Sequence, residues 1–387
     1  MNNLQYVFSQ IVQFLDHNVF NRIVRKYDGN KRVRHFSCWN QLLLMMFGQL
    51  SGRESLSDTV VVLKAHARKC YHLGIGQCVE TSTVSRANES RDYRIFEEFA
   101  MHVIGEARRM RADNVLEVKV EGAVYAFDSS VISLCLSLFR WAKFKYGKSA
   151  VKLHTLYDVR AQVPCVVVIT PALVNDMKGM DYIRHEAGSY YIFDRGYNDY
   201  ARLFKIHQAN AFFVIRANNN LKFKRIYSVK GKRDKSIRAD QTGVFTTGNS
   251  PKRYPEKIRR IKYYDAENDQ YFVFLTNDFE SDAKTIADLY RLRWSVELFF
   301  KWIKQHLKIK SFWGTSPNAV KIQVYTAIIA YCLVAMVAKA VGTEKSIYET
   351  LQILGASLLD KTPVRELLTG KEYKSTDNAD CNLLLFN

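Results

Sequence analysis

The sequence predicts a mixed α/β protein, and three observations lead there. Residues 1 to about 115 carry apolar residues at helical spacing, whereas from about 118 the texture changes to short β-branched runs. Two of those runs, Ala123-Val-Tyr-Ala-Phe-Asp128 and Ser189-Tyr-Tyr-Ile-Phe-Asp194, end on an aspartate. A later helix, Tyr290 to Lys304, sets one acid among cations and a phenol.

In the helical part, Leu4 to Phe14, Phe20 to Val24 and Trp39 to Gly48 show helical apolar spacing, and Ser55 or Ser57 suits the cap of a further helix. Leu73-Gly-Ile-Gly76 breaks the pattern. Thr81 to Arg91 then opens a helix dense in Ser, Thr, Asn and Arg. A turn followed by such a helix fits a helix-turn-helix reader of the major groove, with Arg86 and Arg91 as its DNA-contacting cations. An ordinary polar helix in a bundle is the alternative.

Ala123 to Ile132, Ala150 to Asp158 and Pro164 to Thr170 read as three strands of a meander, and Asp194 closes a fourth. Tyr200 to Gln208 is a helix and Ala211 to Arg216 a further strand. From Lys222 to Lys262 there are fourteen Lys and Arg against Asp234, Asp240 and Glu256. Strand-like pieces (Phe223 to Val229, Gly243 to Thr247, Ile258 to Tyr264, Gln270 to Leu275) are joined there by Gly, Asn and Pro turns. So lopsided a run suits contact with a DNA backbone, with Lys230, Lys232, Arg233 and Lys235 as its densest stretch; a solvated face is the bland reading.

Read as one helix, the later segment places Tyr290, Arg293, Glu297 and Lys304 at offsets of 0, 3, 7 and 14. At about 100° per residue they share an arc of roughly 60°. One carboxylate beside Arg, Lys and Tyr suits a metal ligand flanked by phosphate-binding groups, although chance ion pairs also occur on helices. A strand-end aspartate is often only the cap of the next helix. Taken together, Asp128, Asp194 and Glu297 supply the three hard-oxygen ligands that a two-Mg²⁺ phosphodiester site requires. Trp294, Phe299, Phe300 and Trp302 read as the core-facing side of the helix.

These residues resemble the DDE transposases of bacterial insertion sequences, in the branch named for the fourth catalogued insertion sequence. That branch carries Tyr, two residues, Arg, three residues, Glu, six residues, Lys, which Tyr290, Arg293, Glu297 and Lys304 match. Its second acid stands in a motif like Asp194-Arg-Gly-Tyr197 and its first in a strand like Ala126-Phe-Asp128. The resemblance implies an RNase H-like catalytic domain over 116–216 and 284–315, with Asp128, Asp194 and Glu297 as metal-binding catalytic triad and two Mg²⁺ per site, replaceable by Mn²⁺. It implies a helical N-terminal DNA-binding domain over 1–115 and a basic β-rich insertion over 217–283. A helical region over 316–387 suits packing or dimer contacts. The expected activity is binding of terminal inverted repeats, DNA cleavage and strand transfer by a homodimeric synaptic complex. An RNase H-like nuclease or resolvase, or a non-catalytic DNA-binding descendant, is the alternative. Some relatives stack an insertion Trp on a flipped base; all five Trp here lie outside the insertion, leaving Tyr227, Phe245 or Tyr254 for that task.

Composition sets bounds on the rest. A chain of 387 residues, 48% hydrophobic with 6 Pro, is expected to be folded throughout and is long enough for two or three domains. A formal charge of +19 points to a polyphosphate partner. The apolar run Val324 to Ala338 is about 15 residues, short of the roughly 20 that span a bilayer, so it reads as a core helix and no membrane partner is expected. The start lacks a signal-like pattern, and a cytoplasmic, nucleoid-associated protein is expected. Seven scattered Cys without a CxxC suit free thiols in a reducing compartment. His154 reads as a core histidine, with a lean toward the acid site as the alternative.

Overall fold

β-Branched and aromatic runs become strands, and helically periodic ones become helices, in the computed structural model, which describes residues 5–134, 139–142, 149–229, 234–246, 248–306 and 312–370. Helices α1 (Val7–Val12), α2 (His17–Lys26), α3 (Cys38–Leu50), α4 (Leu56–Ala65), α5 (Ala67–Cys70), α6 (Thr81–Ser90) and α7 (Arg94–Met110) come first. Strands β1 (Val124–Leu134), β2 (Ser149–Asp158), β3 (Val163–Pro171) and β4 (Tyr190–Phe193) follow, then α8 (Tyr200–Gln208) and β5 (Phe212–Arg216). Next are β6 (Phe223–Ser228), β7 (Ile237–Phe245), α9 (Ser250–Arg253), β8 (Ile258–Asp265) and β9 (Gln270–Thr276). Helices α10 (Ala283–Arg291), α11 (Trp294–His306), α12 (Pro317–Val341), α13 (Ile347–Ser357) and α14 (Val364–Thr369) complete the order.

The chain divides into two compact units. The helical unit takes Met1–Ala112, Ile132–Trp141 and Lys301–Asn387; the sheet unit takes Asp113–Val131 and Ala142–Phe300. In the helical unit, Ser37 and Asn40 form a reciprocal cap at the start of α3, and Ser55 caps α4 by accepting from the Asp58 amide. Helix α12 is apolar on every side and nearly all of it is buried, against α7, α3 and α6 among others. It is long and apolar enough to cross a bilayer, yet 89% of its apolar 18-residue window is buried. This differs from a separate 316–387 region: a helix without a polar face needs neighbours all round, and the N-terminal helices supply them.

The sheet unit holds a sheet in the order β3-β2-β1-β4-β5-β9-β8-β7-β6. β1, β4 and β5 run parallel, and β5-β9-β8-β7-β6 continue antiparallel. Residues 217–283, expected as an insertion, therefore extend the same sheet, because β9 returns to pair with β5 through Val214–Thr276 and Ile215–Leu275. The entry to the parallel pair is tight. Gly122 has φ +84°, and a Cβ there would stand 2.2 Å from the Gly188 carbonyl oxygen, while Gly188 itself has φ +76°. The core of this unit includes Tyr125, Phe127, Tyr191, Phe193, Tyr197, Phe213, Phe245 and Tyr254.

Candidate active site

Asp128 and Asp194 are brought together by strand register. β1 and β4 pair in parallel through Phe127 and Phe193, and each aspartate is the next residue of its strand. β4 ends there, but β1 does not; the expected strand end at Asp128 is instead where a run of four buried residues ends within an eleven-residue strand. Asp194 precedes the 3₁₀ turn Arg195–Tyr197 without capping it through its side chain. The bland reading as a helix cap thus does not describe Asp194.

Each aspartate is held by a tyrosine from another motif. Tyr197, 4% exposed, donates its hydroxyl to Asp128 Oδ1 at 3.3 Å, and the Ser129 amide donates to the same oxygen at 2.8 Å. Tyr290 donates to Asp194 Oδ1 at 3.0 Å, its ring lying 4.6 Å from that of Phe274. Tyr290 therefore orients Asp194. Burial, then the charges of Asp128 and Asp194 respectively, push both phenols well above the usual tyrosine range, so they act as donors.

The expected single helix from Tyr290 to Lys304 is two. α10 ends at Arg291, and α11 begins at Trp294 after a turn in which the Arg293 amide bonds to Tyr290 O and the Val296 amide to Arg293 O, both three residues back. Across this turn Arg293 Nη2 meets Glu297 Oε1 at 2.6 Å. Burial works against the Arg293 charge, but Tyr290, Glu297 and Asp194 more than offset it and its basicity is raised. Burial pushes the Asp128 carboxyl above the usual range and Glu297 adds to this, while the Ser129 amide, Arg293 and Tyr197 oppose it. Arg293 is thus the common counter-charge of three carboxylates that are separate in sequence.

His154 is a satisfied core histidine that also touches the site. It is 1% exposed; Nδ1 bonds Ser129 Oγ at 2.7 Å and Nε2 bonds Thr170 Oγ1 at 2.9 Å. Burial, with the Lys152 charge assisting and Asp176 opposing, pushes its pKa down to about 4. The neutral ring anchors the residue that follows Asp128. Composition and spacing carry no signal for this link.

Other expected site residues fare unequally. Lys304 lies farther along α11, in the helical unit. Arg86 is exposed on α6. Arg91 is not a DNA contact: it is 9% exposed and donates to Ser37 O at 3.0 Å, Gln41 Oε1 at 2.7 Å and Phe36 O, its fork spent on loop and helix oxygens. Lys235 is exposed, while Lys230, Lys232 and Arg233 lie outside the described residues. Within the basic run Arg259 is internal, paired with Asp240 at 2.9 Å. Of the three stacking candidates, Phe245 and Tyr254 are 2% and 1% exposed and belong to the core; only Tyr227, 51% exposed, is accessible. Trp294 departs from the expected core-facing side at 56% exposure, unlike Phe299, Phe300 and Trp302.

Three carboxylates form a hard-oxygen donor set that suits Mg²⁺ or Mn²⁺. Among the described residues, no three His, Cys, Asp or Glu side chains stand close enough to hold an ion between them. In this arrangement the positive charge of the site is Arg293, whose Nε is buried without a hydrogen-bond partner.

A family model described as a transposase DDE domain matches residues 121–333, a span that includes Asp128, Asp194 and Glu297. A second, described as a domain of unknown function (DUF4372), matches residues 4–76. The putative transposase y4zB of Sinorhizobium fredii is 39% identical over 217 residues, which are 55% of this chain and 60% of that protein. The probable transposase for insertion sequence element IS5377 of Geobacillus stearothermophilus is 29% identical over 252 residues, 65% of this chain and 66% of that protein. The putative transposase for insertion sequence element IS4SA of Synechocystis is 27% identical over 296 residues, 74% and 80% of the two. The chain spans just under two thirds of the length of the first two. A solved piggyBac transposase synaptic complex with hairpin DNA aligns over 97% of this chain and 84% of that one, at 11% identity and a TM-score of 0.47. The DDE match covers more than half of the chain and runs through all three acids, so this protein belongs to the transposase DDE domain family.

Proposed function

We propose that this chain is a DNA transposase of the branch with the Tyr-Arg-Glu-Lys signature, which binds the terminal inverted repeats of its insertion sequence and cleaves and joins DNA. The observation that carries this reading is that strand register sets Asp128 beside Asp194, with Arg293 paired to Glu297 and opposing the charge of both aspartates. Asp128, Asp194 and Glu297 would hold two Mg²⁺ on drawing closer than they stand here. The chemistry such a pair supplies is activation of a water or a DNA 3′-hydroxyl and stabilisation of the leaving oxygen.

The chain's own residues do the rest. Tyr197 and the Ser129 amide fix one oxygen of Asp128, and Tyr290 fixes one of Asp194, so each carboxylate presents its other oxygen in a set direction. Arg293 balances the acids and offers its fork to a phosphate beside the scissile bond, and Lys304, farther along α11, would add a point charge for DNA. The exposed cations of the β6–β8 extension bind backbone phosphates without reading sequence. Two copies would pair the two ends of the element, acting on chromosomal DNA in the cytoplasm.

The test uses purified full-length protein with duplexes that end in the terminal repeat flanking its reading frame. Metal-dependent nicking at the repeat end, followed by joining to a target duplex, is expected. Nicking of random duplex at the same rate would contradict the reading.

A further inference from the structure

Two thiols scattered in sequence meet in the helical unit. Cys70 closes α5 and is fully buried, whereas Cys78 is half-buried in the segment leading into α6. Their sulfurs are 3.1 Å apart. Both point at one acceptor, the Leu63 carbonyl on α4, at 3.5 and 3.4 Å. A disulfide needs about 2.05 Å, so an approach of roughly 1 Å joins them. The loop between them reverses through Gly74 and Gly76, whose φ values are +76° and +81°, a conformation that other residues rarely hold.

The half-buried thiol has an approach from solvent. Cys78 lines a groove of about 760 Å³, whose other walls include the cations Lys31, Arg34 and Arg86 and the acids Asp28, Glu80 and Asp92.

We propose that Cys70 and Cys78 are an oxidation site, at which exchange with a small disulfide of the glutathione class joins the two sulfurs and fastens the lead-in of α6 to the end of α5. Cys78 thiolate attacks one sulfur of the carrier RSSR, forming Cys78–S–SR and releasing RS⁻. Cys70 then loses its proton to solvent and attacks the Cys78 sulfur, expelling the second RS⁻. The two thiols give up two electrons and two protons, and the carrier leaves as two RSH. The order follows from access and acidity: burial first, then its hydrogen bond with Cys78, pushes the Cys70 thiol up to about 12, so Cys70 resolves and does not initiate.

The experiment incubates native full-length protein with oxidised glutathione and maps the unreduced peptides by mass spectrometry. A Cys70–Cys78 bridge, lighter by two hydrogen atoms and reopened by dithiothreitol, is the expected product. Cys70→Ser should trap a glutathione adduct on Cys78, and Cys78→Ser should leave Cys70 unmodified while circular dichroism reports a native fold. Folded protein that keeps both thiols free, or a Cys78→Ser variant modified at Cys70 as fast as wild type, would overturn the proposal. Neither readout depends on DNA cleavage, so the transposase reading stands or falls separately.

Discussion

The phenol of Tyr197 donates to Asp128 Oδ1 at 3.3 Å, so the tyrosine of the Asp-Arg-Gly-Tyr motif serves the acid of a different strand. Its ring packs 5.2 Å from Phe127 and 6.1 Å from Phe193, the residues before the two aspartates. Tyr197→Phe keeps this packing and removes only the hydroxyl. A hydrogen bond to a charged group is worth about 1.5 kcal/mol, so cleavage of a pre-bound DNA end should slow roughly ten-fold with Tm nearly unchanged. Single-turnover cleavage beside a thermal melt checks this; an unchanged rate would leave Tyr197 a packing residue.

Asp128 gives a stability prediction whose sign follows from its environment. Burial first, then Glu297, raise its carboxyl in the folded protein. A group raised on folding favours the folded state below its unfolded pKa and penalises it as pH rises through the folded value. Asp128→Asn mimics the protonated form. Without metal, it should melt above wild type at pH 7, and the difference should disappear near pH 3, below the unfolded carboxyl at about 3.9. Equal melting temperatures at both pH values would contradict the burial argument.

His154 predicts the opposite dependence. Its pKa falls from 6.5 to about 4 on burial, so the unfolded chain takes up the extra proton between those values. The stability it contributes is complete above pH 6.5 and is lost as pH falls toward about 4. His154→Gln should flatten the Tm-against-pH curve across that window. A variant curve parallel to wild type would mean that the ring is not held neutral.

Much of this architecture is legible in the sequence, and the exceptions have physical causes. The expected strands match β2, β3, β8 and β9 to within a residue or two, and α8 runs from Tyr200 to Gln208 as read, because alternation and helical spacing reflect burial directly. The register of Phe127 on Phe193, which makes Asp128 and Asp194 neighbours, is a long-range pairing that no local window contains. The break at Leu292 and Arg293 is likewise invisible, since a tightened turn needs no Gly or Pro. Arg91 misleads for a related reason: an Arg near the end of a polar helix looks exposed until the loop carbonyls of Phe36 and Ser37 are seen around it.

The basic extension separates surface charge from internal charge. Lys224 and Arg225 are exposed on β6, whereas Arg259 is spent on Asp240, Asp278 O and Ser281 O. Replacing Lys224 and Arg225 by Gln should weaken binding to all duplexes alike and reduce the salt slope by about 2, with no loss of Tm. Filter binding across a salt series reads it; an unchanged slope would remove this strand from the DNA path.

Under the proposed function, Asp128, Asp194 and Glu297 would do the chemistry while other residues bind DNA. Glu297→Ala tests it most directly, in a gel shift on the terminal repeat run beside Mg²⁺-dependent cleavage of the same duplex. A shifted complex at near wild-type protein concentration and no detectable cleavage are expected. Cleavage near the wild-type rate by Glu297→Ala would contradict it.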